Sequence, residues 1–535
     1  MSFHTNSSQQ YSLTDITNSL TNREKKALEK SWAKIFAEEI FPSIDEERFR
    51  VLYSDRTQCR ANTPVNICVG ALIIKELFQI SDDEIVENLM LDPRYQYALH
   101  TTSYEEQPLS DKTLSRFRKR CYDYESAYGI DLLHDCVTDL SSKIAKMMNI
   151  NPRIKRMDSL MIEANIKNLS RAELLYACVA KLVTYIHKEH RDDLLNGLEH
   201  YYNPNDFNQT FYYNDSTGTD EQIQAILCDA DKLLAICHSD YDDTIEYQLL
   251  VRCLSEQTVI EDSVRRLRNK KDGGFSSSML QSPTDPDATY REKAGKKYHG
   301  YVANLEESVG GNGSVITDYQ FEQNIYSDSR FLQDSLQKTE RQEETSVLVT
   351  DGAYCGAENT ALAASKNIKL VTTDLTGKDV ADIYADFELN EEETRIIKCP
   401  AGYSPVSCCC SSSNGHIHAS FSKENCMNCP HKSECKVKEH KKVCSIDISA
   451  TAKYRATTRR YMKTDEFKAF ARLRNGVETL PSLLRKQYHV DRMPVCGKIR
   501  SRFFFGCKVA ALNVCKLFTF RNGLGNYAQN PILTA

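Results

Sequence analysis

The residues of this chain best suited to chemistry are carboxylates in apolar surroundings. In "RIKRMDSLMIE", Asp158 interrupts a run that otherwise reads as a strand from Ile154 to Ile162. In "SVLVTDGAYCG", Asp351 ends the run Val347, Leu348, Val349, Thr350 and is followed by Gly352. An Asp-Gly pair there is an ordinary turn signal; it is also where a strand would present a carboxylate to a cation. Glu478, in "RLRNGVETLPSLLRK", is the third candidate. Arg474 stands one turn before it and Arg485 seven residues after it, so a continuous helix would put all three on one face. Three hard oxygen donors suit Mg2+ or Mn2+, which take a few carboxylates and leave positions for water and phosphate. Such cations activate an attacking oxygen and steady a leaving one in displacement at phosphorus. Guanidinium groups beside them hold phosphates bidentately.

A second set is made of thiols. Of 20 cysteines, most are scattered, which suits single buried thiols. Cys426-x-x-Cys429 has the spacing at which two thiolates face one tetrahedral ion, and Cys435 could supply a third ligand to a structural Zn2+. Cys399, Cys408, His416 and His431 are the candidates for the fourth. The alternative is a cluster of reduced thiols in a small β insert. The Lys-rich "KSECKVKEHKK" that overlaps the cluster suggests that the insert also touches DNA.

The third set is basic. The net charge is −6, yet residues 451–523 hold 17 Lys+Arg against 4 Asp+Glu, a surplus of 13 that includes Arg474, Arg485 and Lys486. Such a stretch predicts a polyanion surface. In "LSDKTLSRFRKRCYDY", Ser110 can cap a helix whose apolar stripe is Leu114, Phe117, Cys121 and Tyr124. Lys112, Arg116, Lys119 and Arg120 fall on another face. That pattern fits a helix-turn-helix-like DNA-binding module, and equally a solvated face of an ordinary bundle.

The elements that must position these groups can be read in order. Residues 1–22 are polar, with no apolar signal-peptide core, and read as a flexible leader. No uninterrupted apolar run is long enough for a membrane span, so a cytoplasmic, nucleoid-associated protein with no membrane partner is expected. Residues 23–150 read as helices, among them one opening at Thr63-Pro64 and one capped by Ser81. After the Asp158 strand, Ser170 and Glu173 form a capping box, and helical, acidic sequence runs to about 271. Alternating residues on both sides of "VGGN" predict a hairpin. A helix at about 327–339, the Asp351 strand, a helix at about 358–365 and the strand "IKLVTT" follow. The order is that of an RNase H-like mixed sheet in residues 151–525. It carries a helical insertion at about 170–290 and a Cys-rich insertion at about 375–455, before the last helix. In such a sheet the strands of Asp158 and Asp351 lie side by side, and a later helix can bring Glu478 to them. Pro481 just after Glu478 must either bend that helix or open a new one.

The stretches "SDDEIVENLMLDPRYQYAL", "RMDSLMIEANIKNLSRAELL", "LQSPTDPDATYREKAGKKYHGYVANLEE", "VTDGAYCGAEN", "CMNCPHKSEC" and "RLRNGVETLPSLLRK" occur in that order over roughly residues 45–520. Together they resemble bacterial insertion-sequence transposases of the DDE class, in the IS4-like superfamily. The resemblance implies that Asp158, Asp351 and Glu478 are a catalytic triad holding Mg2+ or Mn2+. It also implies cleavage of double-stranded DNA at transposon ends and strand transfer into target DNA, by a homodimer on paired ends. The Tyr of the Tyr-x-x-Arg-x-x-x-Glu pattern of some relatives is replaced by Ala471. A DNA-binding protein descended from a transposase but without catalysis, or a structure-selective nuclease of the same fold, would carry much of the same sequence.

Overall fold

The computed structural model describes the chain apart from residues 7–15, 57–58, 102–108, 214–219, 239, 294, 375–378, 412–414, 476–478 and 524–535. Its centre is a six-stranded mixed sheet of β1 (Ile154–Glu163), β2 (Thr289–Lys293), β3 (Lys296–Gly310), β4 (Gly313–Gln323), β5 (Ser346–Val349) and β6 (Ile368–Val371). The long β3 pairs antiparallel with β1, β4 and β2. On the far side of β1, β5 and then β6 run parallel to it. Read across, β4-β3-β1-β5-β6 is an antiparallel meander followed by βα units, the RNase H-like arrangement expected from the sequence. The β3–β4 hairpin closes through Gly311 and Asn312, and a bulge interrupts it between Glu306 and Glu307.

The period of two sorts the side chains between the faces of the sheet. Met157 and Leu348 pack on one side with Leu332 and Leu336 of helix Asp328–Lys338. Ile154, Val347 and Val349 pack on the other, with Phe467, Phe470 and Leu473 of helix Asp465–Asn475. Asp158 has the parity of Ile154, and Asp351 that of Val347 and Val349. Both aspartates therefore belong to the face covered by helix Asp465–Asn475.

The N-terminal helices share one core with the sheet. Helices Val65–Phe78, Thr113–Tyr128 and Leu132–Met147 pack against the C-terminal helix Lys498–Arg521 and against Tyr301, Tyr319 and Phe321 of the hairpin. By length and composition Lys498–Arg521 could cross a membrane, but it is largely buried inside the fold. Its Asn513, fully buried, accepts from the N–H and donates to the C=O of Ile316 beside the bulge. Ser81 and Glu84 form a capping box, as do Ser170 and Glu173.

Several elements differ from the sequence reading. Ser110 is not a helix cap: its hydroxyl meets that of Thr113, and the helix starts at Thr113 behind Lys112. The chain start is not wholly loose, since Ser2 bridges to Ser54 and Ala61 and the Asn6 side chain donates to Asn66. The acidic helical run ends at Gln257 and gives way to a hairpin, Thr258–Glu261 with Val264–Leu267. Its turn residues Asp262 and Ser263 both take positive φ, the geometry of a tight two-residue hairpin. The insertion around it, with helices Arg171–Lys188, Asp220–Cys237 and Ile245–Gln257, has a separate apolar core.

Candidate active site

The parallel register of β1 and β5 pairs Ile154 with Val347 and Arg156 with Val349. Continued two residues beyond the last paired position, it sets Asp158 level with Asp351 on the same face. Neighbouring strands lie about 4.8 Å apart, so the two carboxylates share one site. Asp351 also does the local work of a turn former: its carboxylate accepts from the Ala353 N–H at 2.8 Å and caps a short 3-10 turn, Gly352–Tyr354. The Thr372 hydroxyl, just past β6, donates to the Asp351 carbonyl at 2.7 Å. Asp158 accepts from the Ser159 N–H at 2.8 Å. Beneath the pair, the buried Tyr354 hydroxyl donates to Asn304 on β3 at 2.6 Å.

Burial, and then the charge of Asp351, push the Asp158 carboxyl up to about 6. The Ser159 N–H, Lys293 and Arg474 pull the other way without overcoming them. Tyr354 is pushed well above its usual range by burial and by the charges of Asp328, Asp158 and Asp351. Two carboxylates at one register, one of them held partly neutral, are a site with negative charge to spare. A hard divalent cation fits that donor set. Lys293, at the end of β2, was not singled out from the sequence. Its signal was its place in "TYREK", a short strand ahead of the hairpin.

Glu478 lies outside the described residues. The chain reaches it from helix Asp465–Asn475, on the face that carries both aspartates. Helix Thr479–Lys486, which contains Pro481, follows. The expected alignment of Arg474, Glu478 and Arg485 on one helix face runs through residues outside the described ones. Arg474 faces Asp158 electrostatically. Arg485 instead donates to Asp491 at 3.1 Å and to the Met161 carbonyl of β1 at 2.7 Å. Lys486 is exposed beside it.

The basic C-terminal stretch is not the open polyanion surface its composition predicts. Among the described residues, eleven of its 17 bases are in ion pairs, many with carboxylates far away in sequence. Lys508 with Glu76 and Arg521 with Glu39 join the last helix to the N-terminal region. On helix Thr113–Tyr128, Lys119 pairs with Asp123 at the surface. Arg116 and Arg120 line a cavity of about 160 Å³ with Arg60, Thr63 and Ser110, and Arg120 lies over the Tyr53 ring. Lys112 is exposed at the start of that helix.

The Cys-rich insertion is a small four-stranded sheet of Ser407–Cys410, His416–Ser422, Val443–Ser449 and Lys438–Glu439, with a core of Phe387, Ile396, Ile417, Phe421 and Ile446. Cys399, Cys426, Cys429 and Cys435 line one cavity of about 30 Å³, with His431 at its wall. Burial pushes Cys426 up to about 12, with Cys444, Cys399 and Cys435 adding to it. Burial likewise pushes Cys435 up to about 11, helped by Cys399 and Cys429. Cys408 sits elsewhere, accepting from the Ile396 N–H, and His416 opens a strand at the surface. Among the described residues no group of three or more His, Cys, Asp or Glu side chains converges closely enough to hold a metal ion, at the aspartates or at the thiols.

Residues 23–120 match the family described as transposase domain (DUF772), and residues 398–518 match the transposase DDE domain family. The second match contains the thiols, Arg474, Glu478 and Arg485 but neither aspartate. No curated protein matches the chain. Among solved structures, a cryo-EM structure of piggyBac transposase in a synaptic complex with hairpin DNA aligns with 94% of this chain and 78% of that chain, at 9% identity. The TM-score of that alignment is 0.28. The two domain matches, at the two ends of a chain whose centre is an RNase H-like sheet, agree in kind: both are to transposase domains, and the chain carries a transposase DDE domain match at its C-terminal end.

Proposed function

We propose that this transposase cleaves DNA at the ends of its element and joins the freed strands to target DNA, with Asp158, Asp351 and Glu478 as the cation-holding residues. The observation that carries the reading is the matched register of Asp158 and Asp351 on the face where Arg474 also approaches. Mg2+ or Mn2+ bound there would activate the attacking oxygen and stabilise the leaving one. The chain's own part is to hold two carboxylates at fixed separation on paired strands and keep the Tyr354–Asn304 floor dry beneath them. Arg474 and Lys293 then bring positive charge to the phosphate being exchanged. Duplex DNA is the substrate, and a homodimer on paired ends is the assembly. Arg116 and Arg120, with Lys112 and Lys119 nearby, are proposed to hold its backbone, and Lys486 and Arg485 to flank the cleavage site.

For the insert we propose a structural Zn2+ on Cys426, Cys429 and Cys435, with Cys399 as the fourth ligand, because these thiols line the same small cavity. Binding would take thiolates from thiols that are held protonated without the ion.

The test is cleavage of element-end DNA in Mg2+ by wild type and by Asp351→Asn. Wild-type cleavage lost in the variant, with DNA binding retained, supports the reading. Binding without cleavage by the wild type points instead to a descendant that has kept only DNA binding, and full cleavage by Asp351→Asn removes the carboxylate site.

A further inference from the structure

Two residues before Asp158, the sequence puts a charge in the interior of β1. Arg156 is 3% exposed and has the same parity as Asp158, so both lie on the face covered by helix Asp465–Asn475. Its guanidinium has two acceptors on two different elements. Nε donates to Glu307 at 2.5 Å, and a second nitrogen donates to the Leu473 carbonyl at 2.7 Å. Glu307, 1% exposed, is directly opposite Arg156 in the β1–β3 register and also accepts from Lys516 of the last helix at 2.7 Å. Lys516 donates onward to the Ser314 hydroxyl on β4.

A charge this deep is costly unless paired and fully hydrogen-bonded. Here the pairing spans β1, β3 and two helices. The contact with Leu473 is the informative one. Leu473 immediately precedes Arg474, whose charge acts on Asp158. Arg156 holds the Leu473 carbonyl, and so ties helix Asp465–Asn475 to the strand that carries Asp158. A planar guanidinium can serve a carboxylate and a carbonyl together; an ammonium on a shorter reach cannot hold both in the same geometry.

We infer that Arg156 is a positioning residue of the carboxylate site: through Glu307 and the Leu473 carbonyl it fixes where helix Asp465–Asn475, with Arg474, stands relative to Asp158 and Asp351. The inference rests on the cation-dependent cleavage proposed above. It also has a readout that does not need cleavage.

The experiment uses the full chain as wild type, Arg156→Lys, Arg474→Gln and the double variant. Mn2+ dependence of end-DNA cleavage is measured beside hydrogen exchange over residues 470–486. Arg156→Lys is expected to raise the half-saturating Mn2+ concentration by about tenfold, as loss of a supporting partner does at cation sites. It should speed exchange at 473–486 while β1 stays protected, and the double variant should cleave no worse than Arg474→Gln alone. Unchanged Mn2+ dependence and unchanged exchange in Arg156→Lys overturn the inference, as do losses that multiply in the double variant. Should Arg156→Lys fail to fold, Glu307→Gln, which keeps the shape and removes the charge, is measured the same way. Faster exchange at 473–486 supports the inference and unchanged exchange overturns it. Failure of the functional reading shows separately, as absence of cleavage by the wild type.

Discussion

The carboxylates of the sheet and the thiols of the insert are both candidate cation sites, but they are built differently. Asp158 and Asp351 are fixed by strand register, hydrogen-bonded neighbours and a covered face, before any ion arrives. The four thiols stand on a short helix, turns and a coil around a small core. A site preset by a sheet is suited to chemistry, since little has to move. A site at the edge of a small core is suited to stability, since an ion there adds folding free energy that the core lacks.

That contrast can be broken in four ways, beginning with the largest effect. Asp158→Asn and Asp351→Asn should each lower cleavage by about 10³-fold, the scale of several kcal/mol of lost charge stabilisation, while zinc content and melting stay near wild type. Gel-based end-cleavage assays with metal analysis check this, and loss of zinc in the same variants would merge the two sites. Cys426→Ser and Cys435→Ser should do the reverse. Zinc should fall from about one ion per chain to none and the insert should become protease-sensitive, with DNA cleavage reduced only as folded protein is lost. A fully active, protease-resistant Cys426→Ser would remove the structural role.

Acidity should separate the sites next. The Asp158 carboxyl, held up at about 6 by burial and by Asp351, binds a proton in the folded state more readily than in the unfolded one. The metal-free fold therefore gains stability from it as pH falls from about 6 toward 4, and loses that contribution as pH rises through 6. Mn2+ affinity should accordingly weaken below about pH 6 and level off above it. Zinc affinity, tied to thiols pushed up to about 12 and about 11, should keep rising with pH well beyond neutrality. Calorimetric titrations at stepped pH would show two curves of different shape; parallel curves would contradict the assignment. The smallest effect concerns DNA. Arg116→Ala and Arg120→Ala should each reduce the slope of log affinity against log salt by about 1, with cleavage chemistry unaltered once DNA is bound.

How far the sequence foretold this depends on what sets each feature. Local rules were readable: the capping boxes at Ser81 and Ser170, the hairpin around Gly311 and Asn312, the strand that carries Asp158 and the strand end before Asp351 all follow from spacing over a few residues. That the two aspartate strands lie side by side followed from the order of elements; that they run parallel is seen in the fold. Features that depend on distant partners were not readable. Arg521 meets Glu39 and Lys508 meets Glu76 across most of the chain, so a segment that is strongly basic in sequence is largely neutralised in the fold. Ser110 looked like a cap because its type fits one. The helix instead begins beyond it, where the Ser110 and Thr113 hydroxyls meet. The role of Arg156 was hidden because nothing within a few residues of it in "KRMD" points to its partner. Only the β1–β3 register sets Glu307 against it.

The most direct test of the central claim is Mn2+ binding to wild type, Asp158→Asn, Asp351→Asn and the double variant, followed by titration of the free ion on zinc-loaded protein. A shared carboxylate site predicts that each single change weakens binding by at least about tenfold and that the double change adds little, because either loss already dismantles the site. Equal Mn2+ binding by wild type and the double variant would contradict it.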